Sequence, residues 1–108
     1  MKILKFLLIV FFVSVSNNTN IFADEAKMKK GLEIFNETAG CAACHVLKAA
    51  GSVGNIGPNL DTVSMTIESV TDMVTNGLGV MPAFGEGEIL TKEEIDIVSY
   101  YVVNAAGK

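Results

Sequence analysis

The chain contains no tryptophan, one histidine, two cysteines and two prolines among its 108 residues. Positive charge is also scarce, because 8 basic residues face 12 acidic ones and the net charge is −4. Nucleic-acid binding needs the opposite balance, so the composition excludes that class of function. One histidine and two cysteines are also too few for a closed zinc site, which needs four ligands.

Long apolar runs are missing except near the N terminus. Residues 6–13 read FLLIVFFV; Lys2 and Lys5 precede this run and a polar stretch, residues 14–20, follows it. A positive start, a short apolar run and a polar exit are typical of a signal peptide. The alternative is a retained membrane anchor, but the run is about half the ~20 residues that a bilayer-spanning helix requires.

The end of this leader is marked by a small residue and two acidic ones. Ala23 precedes Asp24 and Glu25, which predicts cleavage after residue 23. We therefore expect residues 1–23 to be a cleaved signal peptide. Residues 24–108 are then a single periplasmic domain with no stable membrane insertion.

Removal of the leader leaves few large side chains for a core. Four of the six phenylalanines leave with it, and the net charge falls to −6 because two lysines leave while all 12 acidic residues stay. The aromatic residues that remain are Phe35, Phe84, Tyr100 and Tyr101. Domains of this size are marginally stable and usually depend on a disulfide, a metal or another covalent link.

The two cysteines and the histidine stand together at residues 41–45, Cys-Ala-Ala-Cys-His. C-x-x-C-H is the attachment motif of haem c. Two thiols at this spacing can each add to a vinyl group of one porphyrin, and His45 then lies beneath the iron as the proximal ligand. A Cys41–Cys44 disulfide of a thioredoxin-like protein would suit an oxidising compartment. That fold needs a βαβ framework, for which the sequence has no strand pattern, so we predict one covalent haem c.

With His45 used, the second axial ligand must be a residue other than histidine, and methionine is its usual partner in electron-transfer cytochromes. Met28, Met65 and Met73 lie in or beside helical patterns and are expected to fill the core. Met81 lies instead in a glycine-rich loop and precedes Pro82, where the backbone could approach a flat ligand closely. A methionine there could also simply fill a gap. We predict that Met81 is the second iron ligand, together with His45.

The remaining pattern is helical. Periodicity predicts helices at residues 25–37, 66–76 and about 91–104, with a Gly/Ala-rich loop at residues 47–60. No repeat and no second domain is evident.

Capping residues mark where two of these helices begin. Thr66 is expected to cap the second helix, and Thr91 with Glu94 forms a capping box for the last. Gly31 lies on the apolar face of the first helix. It is either a tolerated weak point or the place where another helix comes close.

Taken together, these residues resemble the class I c-type cytochromes, and most of all their short bacterial and algal forms. The resemblance rests on C-x-x-C-H at 41–45, Gly-Pro-Asn-Leu at 57–60 and Val-Met-Pro-Ala-Phe at 80–84, in the order that the family shows. It implies an all-α fold of three to five helices around one covalent haem, with the N- and C-terminal helices crossing.

The resemblance also implies roles for single residues. Gly31 and Phe35 match the crossing pair of the first helix, and Ile97 and Tyr100 match their partners on the last. The carbonyl of Pro58 matches the one that accepts a hydrogen bond from the proximal imidazole and orients it. The alternative for Pro58 is an ordinary turn proline.

The function that the resemblance implies is one-electron transfer without catalysis. We expect a monomeric carrier between a donor complex or dehydrogenase and an acceptor such as a terminal oxidase. The alternatives are a dedicated cytochrome subunit of an exported dehydrogenase and a haem sensor or peroxidase in which Met81 gives way to a ligand. Mitochondrial relatives surround the haem edge with lysines, whereas only Lys48 lies near the motif here. We therefore expect redox partners with basic docking patches, which an acidic surface would attract.

Overall fold

Three α-helices form the framework of the structure, a computed structural model that describes residues 19–108. They are α1 (Thr19–Glu33), α2 (Ile67–Asn76) and α3 (Lys92–Ala105), with a small antiparallel pair of strands, β1 (Val46–Leu47) and β2 (Ser52–Val53), between α1 and α2. The predicted all-α class is therefore confirmed. In this part of the chain no helix has both the length and the apolar character needed to cross a membrane.

The first helix begins earlier than the sequence predicted. It starts at Thr19 rather than residue 25 and continues through Ala23, the predicted cleavage position. Its C-terminal end widens into a π-helical turn, Ile34–Thr38, which the backbone N–H of Ala39 closes by donating to the carbonyl of Ile34 at 2.9 Å. Residues 1–18 of the predicted signal peptide lie outside the described residues, so cleavage stays a prediction.

The N-terminal caps of α2 and α3 are those that the sequence predicted. Thr66 Oγ1 accepts a hydrogen bond from the backbone N–H of Ser69 at 3.0 Å, and Ser69 Oγ accepts one from the N–H of Thr66 at 3.0 Å. Thr91 and Glu94 make the same reciprocal pair at 3.1 and 3.0 Å. Each pair satisfies two backbone donors that the first turn of a helix leaves free.

The first and last helices cross at Gly31. A Cβ at this position would overlap the Cβ of Tyr101 and lie 2.8 Å from its Cγ and 3.2 Å from the carbonyl oxygen of Ile97. Phe35, one turn further along, packs its ring against Tyr101 with 6.1 Å between centroids. The glycine therefore marks a close approach of two helices and not a tolerated weak point.

The partner of Gly31 is Tyr101, and the expectation of Tyr100 was wrong. Successive residues of an α-helix point about 100° apart, so only one of two neighbouring tyrosines can face α1 directly. Tyr101 takes that position and is 4% exposed. Tyr100 is half-buried beside the crossing, where the ammonium of Lys27 lies 4.4 Å from the centre of its ring.

The core joins the helix crossing to the segments that follow each helix. Its buried apolar residues are Ile34, Phe35, Leu47, Val70, Val74, Phe84, Leu90, Ile95, Val98, Tyr101, Val102 and Ala105. Met28 and Met65 pack against this cluster, as the sequence predicted. Met73 does not act as core filler, because it is 39% exposed on α2.

Part of the predicted loop at residues 47–60 is a short hairpin. Val46 pairs with Val53 and Leu47 with Ser52, and a 3-10 turn, Lys48–Ala50, connects them. Ser52 Oγ accepts a hydrogen bond from the backbone N–H of Leu47 at 2.9 Å. Strands of two residues are too short for an alternating pattern, which is why the sequence indicated only a loop.

We predict that Gly31→Ala destabilises the folded protein by about 1–3 kcal/mol, although alanine normally favours a helix, because its Cβ would overlap Tyr101. Denaturant unfolding measures this change. Lys29→Ala, at an exposed position of the same helix, is the control and should stay within about 0.5 kcal/mol of wild type.

A double-mutant cycle locates the contact. Gly31→Ala should couple energetically to Tyr101→Ala and not to Tyr100→Ala. Coupling to Tyr100 alone would contradict the packing described for this crossing.

Candidate haem site

A tight turn carries both cysteines. Gly40, in the left-handed conformation with φ +68°, leads into a 3-10 turn, Cys41–Ala43. The backbone N–H groups of Cys44 and His45 both donate to the carbonyl of Cys41, at 3.1 and 3.0 Å. Residues i and i+3 eclipse one another in a 3-10 turn, so Cys41 and Cys44 project from the same side. That arrangement suits attachment of both thiols to one edge of a flat ligand.

The surroundings of Cys41 differ from those of the attacking cysteine in a redox-active C-x-x-C site. Burial raises the pKa of the Cys41 thiol to about 11. A thiol of this pKa is protonated at neutral pH, whereas disulfide exchange depends on a lowered pKa and a thiolate. Residues 19–108 also contain no group of three or more His, Cys, Asp or Glu side chains that could hold a metal ion.

The imidazole of His45 is oriented by the loop that carries Pro58. Its Nδ1 lies 2.8 Å from the carbonyl oxygen of Pro58. Because a carbonyl can only accept, Nδ1 must be the donor, and the neutral ring then carries its lone pair on Nε2. This is the tautomer that a histidine needs when Nε2 ligates a metal and a second group holds Nδ1. The contact is the one that the resemblance implies for Pro58.

Two glycines, whose roles the sequence did not reveal, bring this loop against the motif. A Cβ on Gly57 would overlap Cε1 of His45 and lie 2.8 and 2.9 Å from its Nδ1 and Nε2. A Cβ on Gly54 would lie 2.7 Å from the carbonyl carbon of Cys44. The imidazole therefore lies directly against backbone, which restricts its tilt. The only sequence signal was the position of Gly57 beside Pro58.

Met81 lies at the end of a two-residue turn. Leu78 and Met81 exchange hydrogen bonds, at 3.1 Å from Leu78 N–H and 3.0 Å from Met81 N–H, and Gly79 supplies a φ of +60° between them. The backbone N–H of Phe84 donates to the carbonyl of Val74 at 3.0 Å and so fastens the segment after Pro82 to the end of α2. Met81 is half-buried and packs against the core. Backbone hydrogen bonds therefore hold the chain both before and after Met81.

The chain is similar to known electron-transfer proteins over most of its length. Residues 26–102 match the family described as cytochrome c oxidase, cbb3-type, subunit III. Cytochrome c6 of Rippkaea orientalis is 33% identical over 109 aligned positions that cover 94% of this chain and 88% of the relative. Cytochrome c6 of Bryopsis maxima is 38% identical over 82 positions, covering 67% of this chain and 84% of the relative.

A solved structure agrees with this result. The c-type cytochrome SorU from Sinorhizobium meliloti is 50% identical, with a TM-score of 0.72 and coverage of 78% of this chain and 95% of that one. The chain belongs to the class I c-type cytochromes. A c-type cytochrome carries covalently bound haem c, and Cys41 and Cys44 fit its attachment motif.

Exposed apolar side chains on two loops suit a large flat ligand of this kind. On the loop that leads to Pro58, Val53 and Ile56 are 86% and 67% exposed. On the turn that leads to Met81, Leu78 and Val80 are 72% and 85% exposed. Large apolar side chains that stay exposed in this way are typical of a binding surface. The residues of this cytochrome therefore fit the porphyrin as well as its iron.

We predict that Gly57→Ala destabilises the holoprotein by about 1–3 kcal/mol, because the added methyl group overlaps the ring of His45 and must displace it. Denaturant unfolding followed by haem absorbance measures the effect. Asn55→Ala, at an exposed position of the same loop, is the control and should leave stability nearly unchanged. Equal stability of the Gly57 variant and wild type would mean that the ring is free to move aside.

Proposed function

We propose that this cytochrome is a monomeric periplasmic one-electron carrier whose haem iron is ligated by His45 and Met81. It takes electrons from a donor complex or dehydrogenase and passes them to an acceptor such as a terminal oxidase. It catalyses no reaction of its own. The observation that carries the proposal is the hydrogen bond from Nδ1 of His45 to the carbonyl of Pro58, since it leaves Nε2 for iron.

The Pro58 contact supports a permanent role for His45 as ligand. A hydrogen bond to the ring nitrogen that faces away from a metal raises the basicity of the imidazole and fixes its orientation. Gly57 supports the same orientation from the face of the ring. A ligand held in this way keeps its geometry when the charge on the metal changes, which is what a carrier requires.

The position of Met81 supports its role as the second ligand. Met81 lies at the end of a turn that two backbone hydrogen bonds to Leu78 close, and it belongs to one of the three motifs that carry the family resemblance. A thioether ligand favours the ferrous state and raises the reduction potential. Ligation by both His45 and Met81 would leave the iron no free position for oxygen or peroxide, which favours a carrier over a sensor or peroxidase.

The order of residues 1–23 supports export. A positive start, a short apolar run and Ala23 before two acidic residues are typical of a signal peptide. The periplasm is also a compartment in which such a domain meets membrane-bound donors and acceptors.

The charge near Met81 supports docking to basic partners. Glu86 and Glu88 follow the Met81 segment and are both exposed, as are the apolar side chains of Leu78 and Val80. An apolar centre with an acidic margin suits a small and short-lived interface, in which charge steers the encounter.

We predict that Met81→Ala lowers the reduction potential by about 0.1 V or more, within the ~0.8 V range that axial ligands span. The oxidised protein should lose the weak far-red charge-transfer band of a methionine–iron(III) bond, and the reduced protein should gain carbon monoxide binding. Spectroelectrochemistry of purified holoprotein measures the potential and the band together.

The matched controls are Met65→Ala, which removes a methionine at the edge of the core, and Met73→Ala, which removes one from the surface of α2. Both should keep the band. If either control loses it while Met81→Ala keeps it, the proposed ligand is the wrong methionine.

We also predict that the double change Glu86→Lys and Glu88→Lys slows electron transfer to a small cationic oxidant by about twofold or more at low salt, because it reverses the local charge. The difference should shrink as ionic strength rises. Stopped-flow mixing at several salt concentrations measures it. Glu25→Lys, at an exposed position on α1, is the control; an equal effect per charge there would mean that the encounter is not directed to the Met81 side.

A further inference from the structure

One carboxylate connects three distant parts of the chain. Asp61 Oδ2 accepts a hydrogen bond from the backbone N–H of Lys48 at 2.9 Å, and Oδ1 accepts one from the backbone N–H of Gly107 at 2.8 Å. Lys48 lies three residues beyond His45, and Gly107 follows the end of α3. Asp61 itself lies three residues beyond Pro58, at the end of the segment of residues 57–61, which we call the proximal loop.

The contact to Lys48 is the last of four hydrogen bonds between residues 44–48 and 57–61. The backbone N–H of Gly57 donates to the carbonyl of Cys44 at 2.8 Å, and that of Leu60 donates to the carbonyl of Val46 at 3.0 Å. The bond from His45 Nδ1 to the Pro58 carbonyl lies between these two along the chain. Asp61 therefore closes one end of the same set of bonds that orients the imidazole.

Hydrogen bonds within the turn around Asp61 also stabilise it. Asn59 Oδ1 accepts a hydrogen bond from the backbone N–H of Asp61 at 2.9 Å, and the N–H of Thr62 donates to the carbonyl of Asn59 at 3.3 Å. Asn59 follows Pro58 directly. Asn59 therefore joins Asp61 to Pro58, whose carbonyl lies against Nδ1 of His45.

The ionised form of Asp61 is the one that the structure favours. The hydrogen bonds from Gly107 and then Lys48 lower the pKa of this carboxyl below its usual value, so it is charged at neutral pH. Both of its oxygens are then acceptors. An asparagine at position 61 would offer one acceptor oxygen. Its NH2 group would face the second backbone N–H, so two donors would meet and that hydrogen bond would be lost.

We propose that Asp61 is a positioning residue for the proximal ligand: by joining Lys48 and Gly107 to the Gly57–Asp61 turn, it holds the Pro58 carbonyl against Nδ1 of His45. This inference rests on the proposed ligation of iron by His45. The competing view is that Asp61 only fastens the C terminus. The contact to Lys48 argues against that view, because it belongs to the segment of His45 and does not involve the C terminus.

The test is hydrogen exchange in the oxidised holoprotein. The Nδ1 proton of a histidine bound to ferric haem has a strongly shifted NMR signal, and its exchange with solvent reports how well the carbonyl protects it. In Asp61→Asn we expect this proton to exchange about tenfold faster or more, together with the backbone amides of Lys48 and Gly107. Asp72→Asn removes the same charge from α2, where Asp72 accepts from the side chain of Asn76, and should leave the Nδ1 proton unchanged.

A second variant, deletion of Gly107 and Lys108, takes away one of the two donors and leaves Asp61 in place. We expect the Nδ1 proton to exchange faster than in wild type but slower than in Asp61→Asn. Faster exchange at Gly107 in Asp61→Asn with an unchanged Nδ1 proton would overturn the proposal and leave only an anchor for the C terminus. If Asp61→Asn does not fold, an unchanged Nδ1 proton in the deletion variant overturns it as well.

The wild-type spectrum separates this inference from the proposed function. If wild type shows no shifted Nδ1 signal although haem is attached, His45 is not the iron ligand and the proposed function fails. If wild type shows the signal and neither variant changes its exchange, the proposed function stands and the role of Asp61 fails.

Discussion

The contact of Gly31 with Tyr101 is the constraint on which the other parts of this structure depend. It brings α1 and α3 close enough for Phe35 to pack on Tyr101, and the chain leaves α1 from that point towards the cysteine turn. The segment that follows the C-terminal end of α3 reaches Asp61 through Gly107. The crossing therefore determines where the proximal loop is entered and where it is fastened. A larger residue than glycine at position 31 would overlap Tyr101 and force the two helices apart.

The two sides of the haem site are organised by different means. On the proximal side, backbone hydrogen bonds join residues 44–48 to residues 57–61, and the imidazole of His45 lies within this set. On the side of Met81, a single tight turn and the bond from Phe84 to α2 determine the position of the loop. A carrier benefits from both arrangements, because a site that is held before the electron arrives needs little rearrangement afterwards.

The small core explains why the loops are so closely bonded. Few large aromatic residues are available, and several large apolar side chains, Val53 and Val80 among them, stay exposed on the loops around the site. Burial alone contributes less in a domain of this size than in a larger one. Specific hydrogen bonds and turns also stabilise the fold. They are the capping boxes of α2 and α3, the glycines of the turns, and the carboxylate of Asp61, which joins segments that are distant in sequence.

The sequence by itself determined the attachment motif, the class of fold and the caps at Thr66 and Thr91, because each depends on residues close together in the chain. It could not choose between Tyr100 and Tyr101, since both belong to the same apolar stripe and only the rotation of α3 against α1 decides which one meets Gly31. The hydrogen bonds of Asp61 were equally hidden. Its two donors lie 13 and 46 residues away, and a single carboxylate carries no pattern that reveals such partners. Tertiary structure decided these points because they depend on distances between segments, which no local pattern encodes.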